Sequence, residues 1–223
     1  MSDSLFWSPR FSGLPVEEFG VFANPEREPR RRKIVKTFHP PLELLGQDLL
    51  DRLRPPFPLH THLPRLDWPR TYQPFCTWLA LSRVAHGYQA EPQLNVGVHA
   101  DHVAIRLGWD ARAAAFGRFE FLSLHGGLGE EMAAIAQEHE LAFRVYAAAA
   151  WPEGSSLVFA SSDDWRRAFV EVERRGVWFE LGARYEMPDA TELVGSPELG
   201  DQAFRIFRAL LPLYDRAIGQ LQE

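Results

Sequence analysis

The residues best suited to chemistry lie in one stretch of alternating side chains, 94–107. Its period of two on either side of Ala100-Asp101 is typical of two β-strands joined by a tight turn. Such a hairpin would send its apolar side chains to the core and expose four polar ones on the opposite face, namely Asn95, His99, His102 and Arg106. His99, Asp101 and Arg106 could then act as acid, base and anion clamp. The alternative is that Asp101 only forms the turn, as aspartate often does.

Large aromatic residues could line a pocket beside this hairpin. Trp78, Tyr88, Trp109 and Trp178 are the candidates, and packing in the core is the alternative for each of them. The predicted ligand site has six residues: Trp78, Tyr88, Asn95, His99, Asp101 and Arg106. A small molecule or an anion is the ligand that these groups indicate.

A second hypothesis is a metal-assisted hydrolase. Its ligands and acid-base groups would come from His60, His62, His99, Asp101 and His102, since imidazole and carboxylate bind zinc-like ions. The spacings match no standard metal motif, so exposed or hydrogen-bonded histidines are the alternative. The sequence specifies no cofactor and does not decide whether the protein is an enzyme.

A basic arm at 26–36 offers a third site. It holds six basic residues between Arg27 and Lys36, in a chain whose formal net charge is −6. A solvated connection between two helices is one interpretation. The other is an arm that contacts phosphates of nucleic acid or another acidic partner.

A glycine-rich stretch at 123–129 precedes a predicted helix. Its backbone N–H groups could bind a phosphate at the helix end. It matches neither the Walker loop nor the dinucleotide fingerprint, so a plain helix connection is the alternative.

Composition indicates a globular protein without a membrane segment. The 223 residues are 46% hydrophobic and 24% charged, and no apolar run approaches the roughly 20 residues that span a bilayer. No secretory signal is evident, and the single cysteine, Cys76, excludes an internal disulfide. We therefore expect a cytoplasmic protein in which Cys76 is a buried, inert thiol.

The order of the predicted elements favours one α+β domain over residues 1–223, with mixed or antiparallel sheets and flanking helices. Helices are predicted at 15–22, 40–54, 111–140 with a break at Gly126-Gly127, 162–176 and from Ser196 onward with a kink or a restart at Pro212. Strands are predicted at 75–84, 94–98, 103–107, 141–149, 157–160 and 177–185, and 119–124 could be helix or strand. The proline-rich segment 55–74 is either a loop over a site or a connection with a short hidden element.

Several pieces in this order resemble a known family. They are LPVEEFGVF near the start, Thr77-Trp78, Gly87-Tyr88, Pro92 and QLNVGVHADHVAIRLGW in the middle, and WFELGARY and FRALLPLY near the end. Together they resemble the DUF1054 (YktB-like) family of uncharacterised bacterial proteins. The resemblance implies a compact α+β fold with mixed sheets, and it implies no activity.

Overall fold

An antiparallel sheet forms the centre of the computed structural model, which describes residues 10–66, 75–113, 116–147, 157–159 and 164–219. Within these residues seven strands occur in the order β1-β2-β3-β4-β7-β5-β6, and every neighbouring pair is antiparallel. They are β1 (His60–His62), β2 (Cys76–Ser82), β3 (Gln93–His99), β4 (His102–Asp110), β5 (Ala142–Ala147), β6 (Leu157–Phe159) and β7 (Gly176–Glu186). The predicted α+β class is confirmed, and the described strands contain no parallel pair.

Helices flank this sheet. The α-helices are α1 (Arg27–Leu53), α2 (Phe116–His125), α3 (Leu128–Glu138), α4 (Trp165–Arg175), α5 (Thr191–Val194) and α6 (Glu198–Gly219), with short 3-10 helices at Val16–Ala23 and Tyr88–Ala90. None of the helices in the described part of the chain is both long and apolar enough to cross a bilayer.

The hairpin β3–β4 gives the sheet two chemically different faces. Ala100 and Asp101 connect the strands, and Val96 lies opposite Ile105 in the register. The apolar residues of the hairpin are fully or almost fully buried on the face against which the helices pack. On that face Phe169 of α4 stacks on Phe179 of β7, with ring centroids 4.9 Å apart. The alternate residues of the same strands therefore form the opposite face.

The basic arm predicted at 26–36 is not a connecting arm but the first part of α1. Ile34 and Phe38 are completely buried, and with Leu42 they continue one apolar stripe at the i, i+4 spacing of a helix. Phe38 makes an edge-on contact with Phe19, at 5.4 Å between centroids. The prediction that a helix begins at Pro40 was wrong because this burial stabilises helix on both sides of the proline pair.

Other predicted boundaries also change. The segment 55–74 does contain a short element, the edge strand β1. Residues 119–124 are helical within α2, and α6 continues through Pro212 as one helix. The start of the helix predicted at 162–176 lies outside the described residues.

Candidate functional site on the polar sheet face

The sheet face opposite the helices carries a buried cluster of polar side chains, which we call the polar face. Register places Asn95 opposite Arg106, Ala104 opposite Arg184, and Glu180 opposite Arg144. The polar face comprises Asn95, His99, His102, Arg106, Arg144, Tyr146, Trp178, Glu180 and Arg184. Four strands, β3, β4, β7 and β5, thus contribute to one polar surface.

An ion pair between Arg106 and Glu180 lies at its centre. Arg106 Nη1 donates to Glu180 Oε2 at 2.6 Å, and the two side chains are only 5% and 1% exposed. Arg106 Nε also donates to Asn95 Oδ1 at 3.3 Å, and Trp178 Nε1 donates to Glu180 Oε2 at 3.2 Å. Burial alone would lower the pKa of Arg106, but the carboxylate outweighs burial and that pKa is raised. Both members of the pair are therefore charged at neutral pH.

Two further guanidinium groups surround the same carboxylate. Arg184 Nη2 lies 3.7 Å from Glu180 Oε1 and also donates to the Tyr146 hydroxyl. Arg144 Nη1 donates to the Gly182 carbonyl oxygen at 3.1 Å. Burial by itself would raise the pKa of Glu180, yet the nearby guanidiniums hold it below its usual value. Glu180 is the one buried acidic residue in the part of the chain that the structure describes.

Tyr146 adds a hydroxyl but no charge to this cluster. Its hydroxyl donates to Glu180 Oε1 at 3.3 Å. Burial, reinforced by the Glu180 charge, raises the pKa of Tyr146 to about 12. Among the described residues, the guanidiniums of Arg106, Arg144 and Arg184 and the carboxylate of Glu180 consequently meet on the polar face at neutral pH.

Glycines make room for these large side chains. A Cβ at Gly97 would lie 2.9 Å from Arg106 Nη2 and 3.1 Å from His99 Nε2. A Cβ at Gly182 would clash with the backbone of Ile105 and would lie 2.5 Å from Arg106 Cβ. Gly97 therefore leaves space for the ends of the Arg106 and His99 side chains, and Gly182 allows β7 to approach the backbone of β4 closely.

Two stacked histidines close the hairpin end of the polar face. The rings of His99 and His102 lie 4.2 Å apart at an interplanar angle of 9°. His102 Nδ1 lies 2.6 Å from Asp101 Oδ1, while Asp101 itself is exposed in the turn. Burial and the Arg184 charge lower the pKa of His102 to about 4, and burial together with the His102 charge holds the pKa of His99 well below its usual value. Both imidazoles are therefore neutral at pH 7.

The two predicted aromatic residues pack beside this cluster. Trp78 lies opposite Gly97 in the β2–β3 register, and its Nε1 donates to the Tyr88 hydroxyl at 3.1 Å. Tyr88 in turn stacks on His62, with centroids 4.3 Å apart. Trp109 lies instead in the apolar core among the phenylalanines of α2.

The structure thus brings Asn95, His99 and Arg106 together, places Trp78 and Tyr88 at their side, and leaves Asp101 at the turn. The sequence prediction missed Arg144, Tyr146, Glu180 and Arg184, which β5 and β7 contribute, and it named Trp178 only as a candidate pocket aromatic. The spacing of these residues could have indicated them: in a strand, positions 178, 180 and 184 lie on one face, and so do positions 144 and 146.

The residues proposed for a metal site fall into two separate groups, because His99, Asp101 and His102 lie together but His60 and His62 lie far from them. In the β1–β2–β3 register, His60 lies opposite Ser82 but His99 lies opposite Cys76. Six residues of β-strand separate these positions by about 20 Å. His62 Nε2 instead lies 3.0 Å from Ser82 Oγ. Within the described ranges, no group of three or more His, Cys, Asp or Glu residues is arranged to hold a metal ion.

The glycine-rich stretch is a helix connection tied to α6. Arg216 donates to the Gly126 carbonyl oxygen and to Glu131, and Gly127 takes the left-handed conformation at φ 77° before α3. Phosphate binding at this connection remains a prediction.

Comparison with known proteins identifies the family. The sequence model of a protein family, described as a domain of unknown function (DUF1054), matches residues 15–214. This range includes every residue of the polar face. No curated protein matches the chain. The match spans nearly the whole sequence and confirms the resemblance seen in its ordered motifs: the chain belongs to the DUF1054 family.

Proposed function

We propose that this protein binds a small anion on the polar face. The observation that supports the proposal is the buried Nε atom of Arg144, which makes no hydrogen bond to the described residues. A buried cationic donor without an acceptor is costly unless an opposite charge joins it. A bound carboxylate or phosphate would supply that charge.

The hydrogen bonds indicate which groups would contact the anion. Arg106 is already held by Glu180 and Asn95. Arg144 Nε is buried and makes no hydrogen bond to the described residues. An anionic oxygen is the acceptor that would satisfy this donor, because guanidinium groups bind carboxylate and phosphate oxygens strongly. Arg144 is thus the proposed primary contact, and Arg106 provides the fixed positive field beside it.

The test is stabilisation by inorganic phosphate and by citrate. A ligand present at about 100 times its Kd stabilises the folded state by about 2.7 kcal/mol, so it raises the unfolding temperature measurably. We expect Arg144→Gln to remove most of this stabilisation. Arg208→Gln, which removes the same charge from an exposed position on α6, is the matched control and should leave it intact. Equal stabilisation of the two variants would reject the site.

A second candidate function uses the basic start of α1 to bind a polyanion such as nucleic acid. Arg32, Lys33 and Lys36 line a hollow on the exposed side of this helix. Lys33 pairs with Glu18 at 2.5 Å, whereas neither Arg32 nor Lys36 forms an ion pair within the described residues. Two phosphate-accessible cations one helical turn apart are the observation that favours this candidate.

Salt-dependent retention on heparin tests it. Replacement of Arg32 and Lys36 by Gln should lower the salt concentration at which the protein elutes, since a protein that neutralises fewer phosphates binds a polyanion more weakly. Arg30 is unsuitable as a probe because it is buried and donates to the Asn24 carbonyl oxygen. Unchanged elution of the double variant would exclude the helix as the binding surface.

We also propose a cytoplasmic location. Cys76 is a buried thiol, as expected for a protein of a reducing compartment. Immunoblotting of cell fractions tests this, and recovery outside the soluble cytoplasmic fraction would contradict it.

A further inference from the structure

Two buried nitrogen atoms at the hairpin end of the polar face have no hydrogen-bond partner among the described residues. They are the Nε2 atoms of His99 and His102, whose side chains are more than nine-tenths buried. A buried polar atom without a partner is destabilising, because it has lost its hydrogen bonds to water and gained none in return. Two such atoms in one stacked pair point to a group that is bound there.

The contact with Asp101 determines which ring nitrogen of His102 carries the proton. A carboxylate only accepts hydrogen bonds, so the 2.6 Å contact places the proton of the neutral ring on Nδ1. The Nε2 atom then carries a lone pair and no proton. Because burial lowers the pKa of His102 to about 4, the ring keeps this form at neutral pH. His102 Nε2 is therefore a buried hydrogen-bond acceptor.

This acceptor end lies close to the cationic part of the polar face. His99 Nε2 and Arg106 Nη2 each lie about 3 Å from the position of a Gly97 Cβ, at 3.1 and 2.9 Å. His102 stacks directly on His99, and the charges of Arg184 and Arg106 both act on His102. The imidazoles and the guanidiniums consequently lie next to one another on the polar face.

We infer that the ligand of the polar face is a small anion that also carries an O–H or N–H group, which donates to His102 Nε2. Hydrogenphosphate and hydroxycarboxylates have this chemistry, whereas sulfate and plain carboxylates do not. The inference rests on the proposed anion binding and specifies the ligand class of that site. Asp101 acts here as a positioning residue, since it sets the tautomer of His102 without touching the ligand.

Matched pairs of anions test this selectivity. Near pH 7.5 phosphate retains an O–H group and sulfate has none, and citrate differs from tricarballylate by one hydroxyl. Titration calorimetry should show at least tenfold tighter binding of phosphate than of sulfate, and of citrate than of tricarballylate. A site with an unpaired acceptor rejects a ligand that cannot donate to it.

Replacement of Asp101 by Ala tests the role of the tautomer. Asp101 is exposed, so the variant should fold, but His102 can then carry its proton on either nitrogen. We expect the phosphate-to-sulfate affinity ratio to fall several-fold toward unity. Asp51→Ala, an exposed aspartate on α1, is the control and should keep the ratio.

The outcomes separate the two proposals. Equal affinity for phosphate and sulfate would overturn the inference and leave the anion site standing. No binding of any of the four anions would overturn both. Stabilisation by zinc alone, abolished by replacement of either histidine, would show that the two Nε2 atoms serve a metal ion and would also overturn the inference.

Discussion

At the level of single residues, we expect Glu180 to contribute more to stability than the exposed carboxylates do. It accepts hydrogen bonds from Arg106, Tyr146 and Trp178, and it is the only buried carboxylate found in the described ranges. A buried ion pair of this kind contributes little against an apolar pair of the same volume. Removing one partner is different, because the other charge is then left buried and uncompensated.

We therefore expect Glu180→Gln to lower the free energy of unfolding by about 3–5 kcal/mol. Urea denaturation near pH 7.5 measures this change. The exposed Glu192 on α5 is the control position, where replacement by Gln should change stability by less than about 0.5 kcal/mol. A cost below about 1 kcal/mol at Glu180 would mean that the guanidiniums of the polar face do not depend on this carboxylate.

The pH dependence of stability should reveal the buried histidines. The pKa of His102 is about 4 in the folded protein and 6.5 in an unfolded chain. Between these values the unfolded chain binds more protons, so stability is complete above pH 6.5 and falls as the pH drops toward 4. The full contribution of His102 is about 3 kcal/mol, and His99 acts in the same direction.

Unfolding free energies measured from pH 7.5 to 4.5 check this expectation, since Glu180 contributes chiefly below that range. His102→Gln removes one titrating group and should flatten the curve. His86→Gln, at an exposed site, should not. A His102 variant with the same pH profile as the original protein would contradict the burial of a neutral imidazole.

At the level of elements, period-two alternation located the polar face only in part. It assigned Asn95, His99 and Arg106 to one face of a hairpin because these strands are adjacent in sequence. It could not join Glu180 to them, because β7 pairs with β4 from a distant part of the chain. Local periodicity gives the face of each strand, while strand order depends on packing between distant segments.

For helix α1, in contrast, two rules that depend on local sequence gave a wrong prediction. Proline usually stops or starts a helix, and a cluster of basic residues usually indicates a solvated segment. Here the stripe of Ile34, Phe38 and Leu42 buries enough apolar surface to hold 27 residues in one helix. The basic side chains of Arg32, Lys33 and Lys36 lie on the exposed side of the helix.

Replacement of Ile34 by Ala distinguishes a packed helix from a solvated arm. Ile34 is completely buried, so we expect the variant to lose about 2–5 kcal/mol of unfolding free energy. Lys36→Ala, at an exposed position half a turn away, should cost little. Chemical denaturation measures the unfolding free energy of both variants. Equal stability of the two variants would show that the segment is a solvated arm.

At the scale of the whole molecule, the sheet order predicts a gradient of local stability. β4 pairs on both sides, with β3 and β7, and Ile105 is completely buried at its middle. β1 stands at the end of the strand order and pairs only with β2 within the described part. Strands with two partners should open only when the protein unfolds globally, whereas edge strands can open locally.

Native-state hydrogen exchange measures this gradient. The amide of Ile105 should exchange with a free energy equal to that of global unfolding, and amides of β1 such as Thr61 should exchange with a clearly lower one. Since the polar face is built on β3, β4, β7 and β5, its residues would then lie on the most rigid part of the molecule. Exchange of Thr61 as slow as that of Ile105 would contradict the gradient, and with it the view that the polar face is more rigid than the edge strand β1.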